Sequence, residues 1–231
     1  MKKLAKNLFL LIVFIAAVSF SVAAQARKPA VNSAPKKTVS TAQNSVVPAN
    51  SSPVTEIAAD EWSEIVSSIE TENWNKSSQL ALAALKKIKT ENEKKQLARL
   101  RYFYIYSLTG KIAQKTMLPS ELERIAEAFT GQDFLMPSRK VLADCTGKVN
   151  YVCAVKADEK TLRVTATSKS ATIHSFEYVK LSEKFDASGN DKKEVFLGGK
   201  LEKIEIGTYK NNIKIVKLYF GAGYADIVSK S

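Results

Sequence analysis

From Lys140 onward the apolar residues of this chain recur at every second position, whereas between residues 55 and 131 they recur three and four apart. That change of period constrains the fold more than any other feature. Side chains alternate across a strand and repeat about every 3.6 residues around a helix, so one run cannot satisfy both patterns. The sequence divides into a helical part, residues 55–131, and a β-rich part, residues 132–231, and predicts an α+β fold. In the second part Leu162, Val164 and Ala166 alternate with Arg163 and Thr165. Ile173, Val179 and Leu181 share one face of a longer strand, with Phe176 and Tyr178 on the other. Val195–Leu197, Leu201–Ile206, Ile213–Phe220 and Tyr224–Val228 follow, with Asn211-Asn212 as a hairpin turn. Short strands at this spacing predict an antiparallel barrel or sandwich.

Both cysteines lie at the start of the β-rich part. Val141, Ala143 and Cys145 share one face of a strand, Tyr151, Cys153 and Val155 share one face of the next, and Thr146-Gly147-Lys148 supplies turn chemistry. This parity places Cys145 opposite Cys153 and predicts a disulfide across a local hairpin.

In the helical part Ile57, Trp62, Ile65, Val66 and Ile69 mark a first helix, with Thr55 or Asp60 as its cap. Asn73 to Lys76 breaks it and restarts a second, whose face is Leu80, Ala81, Ala84, Leu85 and Ile88. After the polar break at residues 89–93, a third carries Leu97, Leu100, Phe103, Tyr104 and Leu108, and Gly110 is placed to cap it. Pro119 opens a fourth, Met117 to Phe129, and Gly131 stops it.

The stretch from Trp74 to Lys111 resembles the tetratricopeptide family. Trp74-Asn-Lys-Ser-Ser-Gln-Leu-Ala-Leu-Ala-Ala-Leu-Lys-Lys-Ile88 is similar to the second helix of one repeat, and Glu93 to Lys111 to the first helix of the next. Thr90-Glu91 stands where the family has a proline. About one and a half degenerate repeats cannot bury their faces alone, since such stacks need about three; the helices must pack on the β-rich part. The resemblance implies binding of a peptide or protein.

The N-terminus reads as an export signal of the bacterial type over residues 1–26. Lys2, Lys3 and Lys6 precede the apolar run Leu8–Val18, and Ala24-Gln25-Ala26 is a small-x-small cleavage site. No cysteine lies near it, so a lipoprotein is not expected, and no later segment is long and apolar enough to span a membrane. The expected location is periplasmic or secreted, an oxidising space that suits the disulfide. Residues 27–54 have linker composition, rich in proline, serine and alanine. The formal charge of +12 is weighted to this end: without Lys2, Lys3, Lys6, Arg27, Lys28, Lys36 and Lys37 it falls to +5.

Catalytic constellations are not evident. His174 is the single histidine, it alternates with Ile173 and Ser175 in a strand, and no G-x-S-x-G elbow accompanies it. A metal site needs more ligands than one histidine and two cysteines, and no cofactor motif is present. Phe196-Leu-Gly198-Gly199-Lys200-Leu201 lacks the phosphate-loop spacing and reads as a turn between strands; Gly221-Ala-Gly223 reads as a turn or bulge. Asp158-Glu159-Lys160 reads as another turn, and Glu202 and Glu205 fall on opposite strand faces. What remains is a basic surface: Lys86, Lys87, Lys94, Lys95, Arg99 and Arg101 in the helices, with Lys214 and Lys217 in the last strands. The expected function is that of an exported, non-catalytic binding or interaction module, with a protein or an anionic envelope polymer as partner. Two alternatives stand beside it: a cell-envelope enzyme or enzyme accessory acting on glycan or peptide, and an anionic-polymer-binding barrel. Export argues against nucleic acid as the natural ligand.

Overall fold

The computed structural model describes residues 57–88, 94–167, 169, 172–209 and 213–228. The expected signal and linker, the polar break at 89–93, the Thr55 cap and the Asn211-Asn212 turn lie outside those residues. Helices α1 (Ala59–Glu70), α2 (Trp74–Lys87), α3 (Lys94–Ala113) and α4 (Pro119–Glu127) come first. Strands β1 (Asp133–Leu135), β2 (Arg139–Lys140), β3 (Val152–Val155), β4 (Asp158–Thr167), β5 (Ile173–Leu181), β6 (Glu194–Tyr209) and β7 (Ile213–Ile227) follow. The α+β expectation holds. Among the described residues no helix is long and apolar enough to cross a membrane.

The helix boundaries follow local chemistry. α1 has Asp60 and Glu61 in its first turn, where carboxylates offset the positive helix end. It stops at Glu72, which adopts a left-handed φ of 58°. There the Glu72 amide donates to Ile69 O and the Asn73 amide to Ser68 O, satisfying carbonyls the helix leaves open. Asn73 then starts α2, its side chain accepting from the Lys76 amide at 3.2 Å. α2 buries Ser77, Ser78, Ala81 and Ala84, small residues that let α3 come close. Ser77 Oγ donates to Ser107 Oγ across the contact at 2.8 Å. In α4, Pro119 occupies the first turn, where its missing amide hydrogen costs nothing.

Gly110 does not end α3. The helix continues to Ala113, and Lys115 with φ 59° makes the left-handed stop instead. Gly110 is a packing residue: a Cβ there would lie 2.3 Å from the indole of Trp74. Gly110→Ala should improve helix propensity locally yet destabilise the fold by about 1–3 kcal/mol, because the buried Trp74 ring has to shift from its contacts with Tyr106 and His174. Urea unfolding followed by tryptophan fluorescence measures this, and a stabilised variant would disprove the packing role.

The strands form one sheet in the order β1-β6-β7-β5-β4-β3, with β2 also on β6. All pairs are antiparallel except β5 with β7. This corrects the barrel: β1 and β3 end the order and do not pair with each other among the described residues. The helices supply the reason. α3 lies against β1, β5 and β7, so the apolar face of the sheet is buried under helices and has no need to close on itself. Val152, Leu162, Val164, Val179, Leu218 and Phe220 belong to that shared core.

One glycine cluster differs from expectation: Gly198-Gly199 is not a turn but lies inside the long strand β6. Gly221-Ala222-Gly223 is a bulge inside β7, where the register with both β6 and β5 shifts. The β6–β7 register shifts between Gly198 and Lys200. A Cβ on Gly199 would meet Gly221 O at 2.8 Å, so the glycines permit a close backbone approach where the ribbon bends. The turn expected at Asp158-Glu159-Lys160 is likewise strand: the chain reverses at Lys156-Ala157.

The disulfide forms as expected, with Cys145 and Cys153 Cα atoms 5.9 Å apart. Its setting is corrected. Residues 142–151 are irregular, Val141 makes a single parallel bridge to Val152, and β3 pairs with β4 instead. Asp144 explains the departure from a strand: its carboxylate accepts from the Thr146 amide at 3.0 Å and from the Thr146 hydroxyl at 2.8 Å, a local turn that competes with ladder pairing. Lys148 N donates to Cys145 O at 3.1 Å across Gly147, whose φ is 67°. The bond therefore closes a loop against the β3 edge, and a loop this short gives about 2–3 kcal/mol of stabilisation.

Candidate functional site

The interior between α3 and the sheet holds a polar cluster. Glu177, at the middle of β5, is fully buried. Its Oε1 accepts from the Tyr102 hydroxyl at 2.8 Å and its Oε2 from Arg139 NH1 at 3.1 Å. Arg139 NH2 also donates to the Tyr102 oxygen at 2.7 Å, closing a three-membered ring of charge-assisted bonds. These partners come from the helical layer, a central strand and the short β2. Burial pulls the Arg139 guanidinium down, but Glu177 and then Tyr102 overcome it and leave it above its ordinary value. The Tyr102 phenol is pushed well above its usual range, chiefly by burial. Tyr106 stacks on Tyr102 with ring centroids 5.4 Å apart, and burial raises it to about 12. Both Glu177 oxygens have partners in the ring, so the buried charge is paired and hydrogen-bonded.

His174 sits beside this core because of a bulge. Ala166 pairs with Ser175 and Thr167 with Ile173, so His174 is the unpaired extra residue. It packs between Tyr106 and Trp74, with ring centroids at 4.9 and 5.5 Å, and is only 1% exposed. Burial, with Arg139 nearby, lowers it to about 4. The imidazole is thus neutral at pH 7.

On the surface, α1, α3 and the β1–β2 connection enclose a groove of about 350 Å³. Its walls are Trp62, Val66, Phe103, Pro137 and Phe196, with Ser138 and Arg99 as polar members. Trp62 meets Phe103 edge to face at 5.8 Å. The Arg99 guanidinium lies 5.7 Å from the centroid of Phe196, and its Nε is buried without a partner. Among the described residues no acidic one lines this groove.

The basic residues are divided between the two layers. Lys86 and Lys87 end α2 and Lys94 and Lys95 begin α3. Lys87 pairs with Glu61, and Arg101 NH1 donates to Asp133 O at 3.1 Å. Arg99 alone enters the groove. Lys214 donates to Thr208 Oγ1 at 2.8 Å, and Lys217 lies 3.8 Å from Glu205 in the sheet layer. On the sheet face away from α3, Tyr178 and Tyr219 stack at 5.1 Å and Lys203 Nζ lies 4.6 Å from the Tyr219 ring centroid. Those ring faces are occupied by one another and by a cation, so they offer little for a ligand to stack on.

The chain matches no protein-family model, no curated protein and no solved structure.

Proposed function

We propose that the chain is an exported, non-catalytic binding module, and that the groove between the helices and the sheet edge takes an extended peptide carrying a large apolar side chain next to a carboxylate. The observation that carries this reading is the composition of the groove: three aromatic rings and one guanidinium, with no acid. Aromatic walls recognise an apolar or aromatic side chain. A guanidinium with no acidic residue beside it among the described residues of the groove donates to a carboxylate in two-pronged fashion. An enzyme acting on glycan or peptide would instead be supported by converging carboxylates in this groove. The likeness of residues 74–111 to a peptide-binding repeat points the same way. The anionic-polymer reading has less support, because Lys203 and Lys217 already share Glu205.

Fluorescence titration of Trp62 with the blocked peptide acetyl-Asp-Phe-Asp-amide tests the reading, with Trp74→Phe removing the second indole. Binding should weaken about tenfold in Arg99→Gln, the loss of one charge-assisted contact. Equal affinity for acetyl-Lys-Phe-Lys-amide would contradict it.

A further inference from the structure

Both cysteines line one open cavity. It measures about 480 Å³, lies between the irregular loop after β2 and the edge strand β3, and is also lined by Asp144, Lys156, Glu159 and Arg163. The two sulfurs are not equally placed in it. Cys153, on β3, is 5% exposed. Cys145 is half-buried, and Ala143, Asp144 and Thr146 around it are exposed. Arg163 stands directly opposite Cys153 in the β3–β4 ladder, so the two side chains share a face of the sheet. Among the described residues its Nε has no hydrogen-bond partner. The acids of the lining are engaged elsewhere: Glu159 pairs with Lys184 at 2.6 Å, and Asp144 Oδ1 accepts from the Thr146 amide and hydroxyl. The guanidinium is therefore a positive charge set beside the Cys153 sulfur, and Lys156 adds a second cation to the same cavity.

We propose that Cys145–Cys153 is a thiol–disulfide exchange site, entered by a small thiol that attacks Cys145 and displaces Cys153. The cavity is of the size that admits a small molecule. The external thiolate forms a bond to Cys145 Sγ as the bond between the two protein sulfurs breaks. The electron pair of that bond leaves on Cys153 Sγ, which then takes up the proton the external thiol gave up. The products are a mixed disulfide on Cys145 and a free thiol at Cys153. A second thiol equivalent attacks the small-molecule sulfur of that mixed disulfide, frees Cys145 and is oxidised together with the first. Exposure selects Cys145 as the sulfur attacked. Arg163 selects Cys153 as the leaving group, because a neighbouring cation lowers the pKa of a thiol and the thiolate of lower pKa leaves faster. The fold tolerates the exchange. Leu142 N donates to Val152 O at 3.0 Å and Asn150 N to Thr165 O at 2.8 Å, so breaking the bond releases residues 143–149 and leaves β3 paired with β4. The site is separate from the groove and does not depend on what the groove binds.

The direction of attack is read by incubating the folded protein with 2-mercaptoethanol, quenching with N-ethylmaleimide and mapping the peptides by mass. The mercaptoethanol adduct should sit on Cys145 and the maleimide on Cys153. The rate of exchange should stay flat across urea concentrations below the unfolding transition, as attack on the native state requires. Arg163→Gln should slow the exchange about threefold, and Arg163→Lys, which keeps the charge, should slow it less. A merely structural role for Arg163 predicts the opposite sign, because a loosened loop exposes the bond and speeds its reduction. An adduct mainly on Cys153, a rate that climbs steeply in sub-denaturing urea, or an Arg163→Gln protein that reacts as fast as the native one would each overturn the proposal.

Discussion

Glu177→Ala should cost about 3–5 kcal/mol of folding stability, the largest effect of any single substitution considered, because it strands the Arg139 guanidinium in the core without its counter-charge. The Arg139 side chain is 13% exposed and that of Glu177 is at 0%, so water cannot replace the lost carboxylate. Tyr102 loses the acceptor of its hydroxyl hydrogen in the same step. Domains of this size are stable by only about 5–15 kcal/mol, so the variant should approach the unfolding threshold. Replacing the pair together, as Glu177→Leu with Arg139→Met, should restore much of the loss, because taking both charges out of water is itself costly. Urea unfolding of the three proteins measures both effects. A single-variant loss below about 1 kcal/mol, in the range of an exposed ion pair, would mean the network is not closed to solvent.

The second large effect is a loss of stability on mild acidification that traces to His174. Burial, reinforced by Arg139, holds the folded imidazole at about 4, against 6.5 for an unperturbed histidine. Above pH 7 both folded and unfolded chains carry the neutral ring, and stability is at its full value. As pH falls through 6.5 the unfolded chain takes up a proton that the folded chain refuses until pH 4. The unfolded state is favoured through that window, by about 3 kcal/mol at its lower end. Other groups facing the ring are Tyr106, whose phenol stays neutral in this range, and Glu72, which lines a cavity with it. Asp144, Asp158 and Glu205 are held below the usual carboxylate values, first by hydrogen bonds from Thr146, Thr161 and Lys203. Unfolding free energy should therefore drop between pH 6.5 and 4 in the native protein. The drop should be markedly smaller in His174→Phe, where no ring nitrogen titrates. Parallel curves for the two proteins would show that His174 is not the acid-sensitive group.

The layout of the chain was legible where periodicity alone decides it. The four helical faces and the two-fold alternation of β4, β5 and β7 follow from apolar spacing, and the shared parity of Cys145 and Cys153 anticipated their disulfide. Features that depend on partners distant in sequence were not legible. Gly110 resembles a helix stop until Trp74, in the preceding helix, is placed against it. Gly198 and Gly199 resemble a turn until β7 crosses them. The parallel pairing of β5 with β7 leaves no local mark, because strand composition does not encode which neighbour is chosen.

The polar core did leave one signal. Glu177 shares its parity with Val179 and Leu181, so a glutamate stood on the apolar face of a strand. A charge in that position requires a buried counter-charge, but nothing in the sequence identifies Arg139 and Tyr102, 38 and 75 residues away, as the partners. The groove was half visible. Arg99 belonged to the expected basic surface, whereas Trp62 and Phe103 read as core and Phe196 as part of a turn. Those rings meet only when α1 and α3 are set against the β1–β2 connection.

If the groove binds a peptide through Arg99 and its aromatic walls, backbone NMR of the labelled protein titrated with acetyl-Asp-Phe-Asp-amide should show saturable shifts concentrated at Trp62, Val66, Arg99, Phe103, Ser138 and Phe196. The peptide should be recovered intact after prolonged incubation. Shifts confined to the sheet face around Lys203 and Lys217, or cleavage of the peptide, would show that the groove is not a peptide-binding site of this kind.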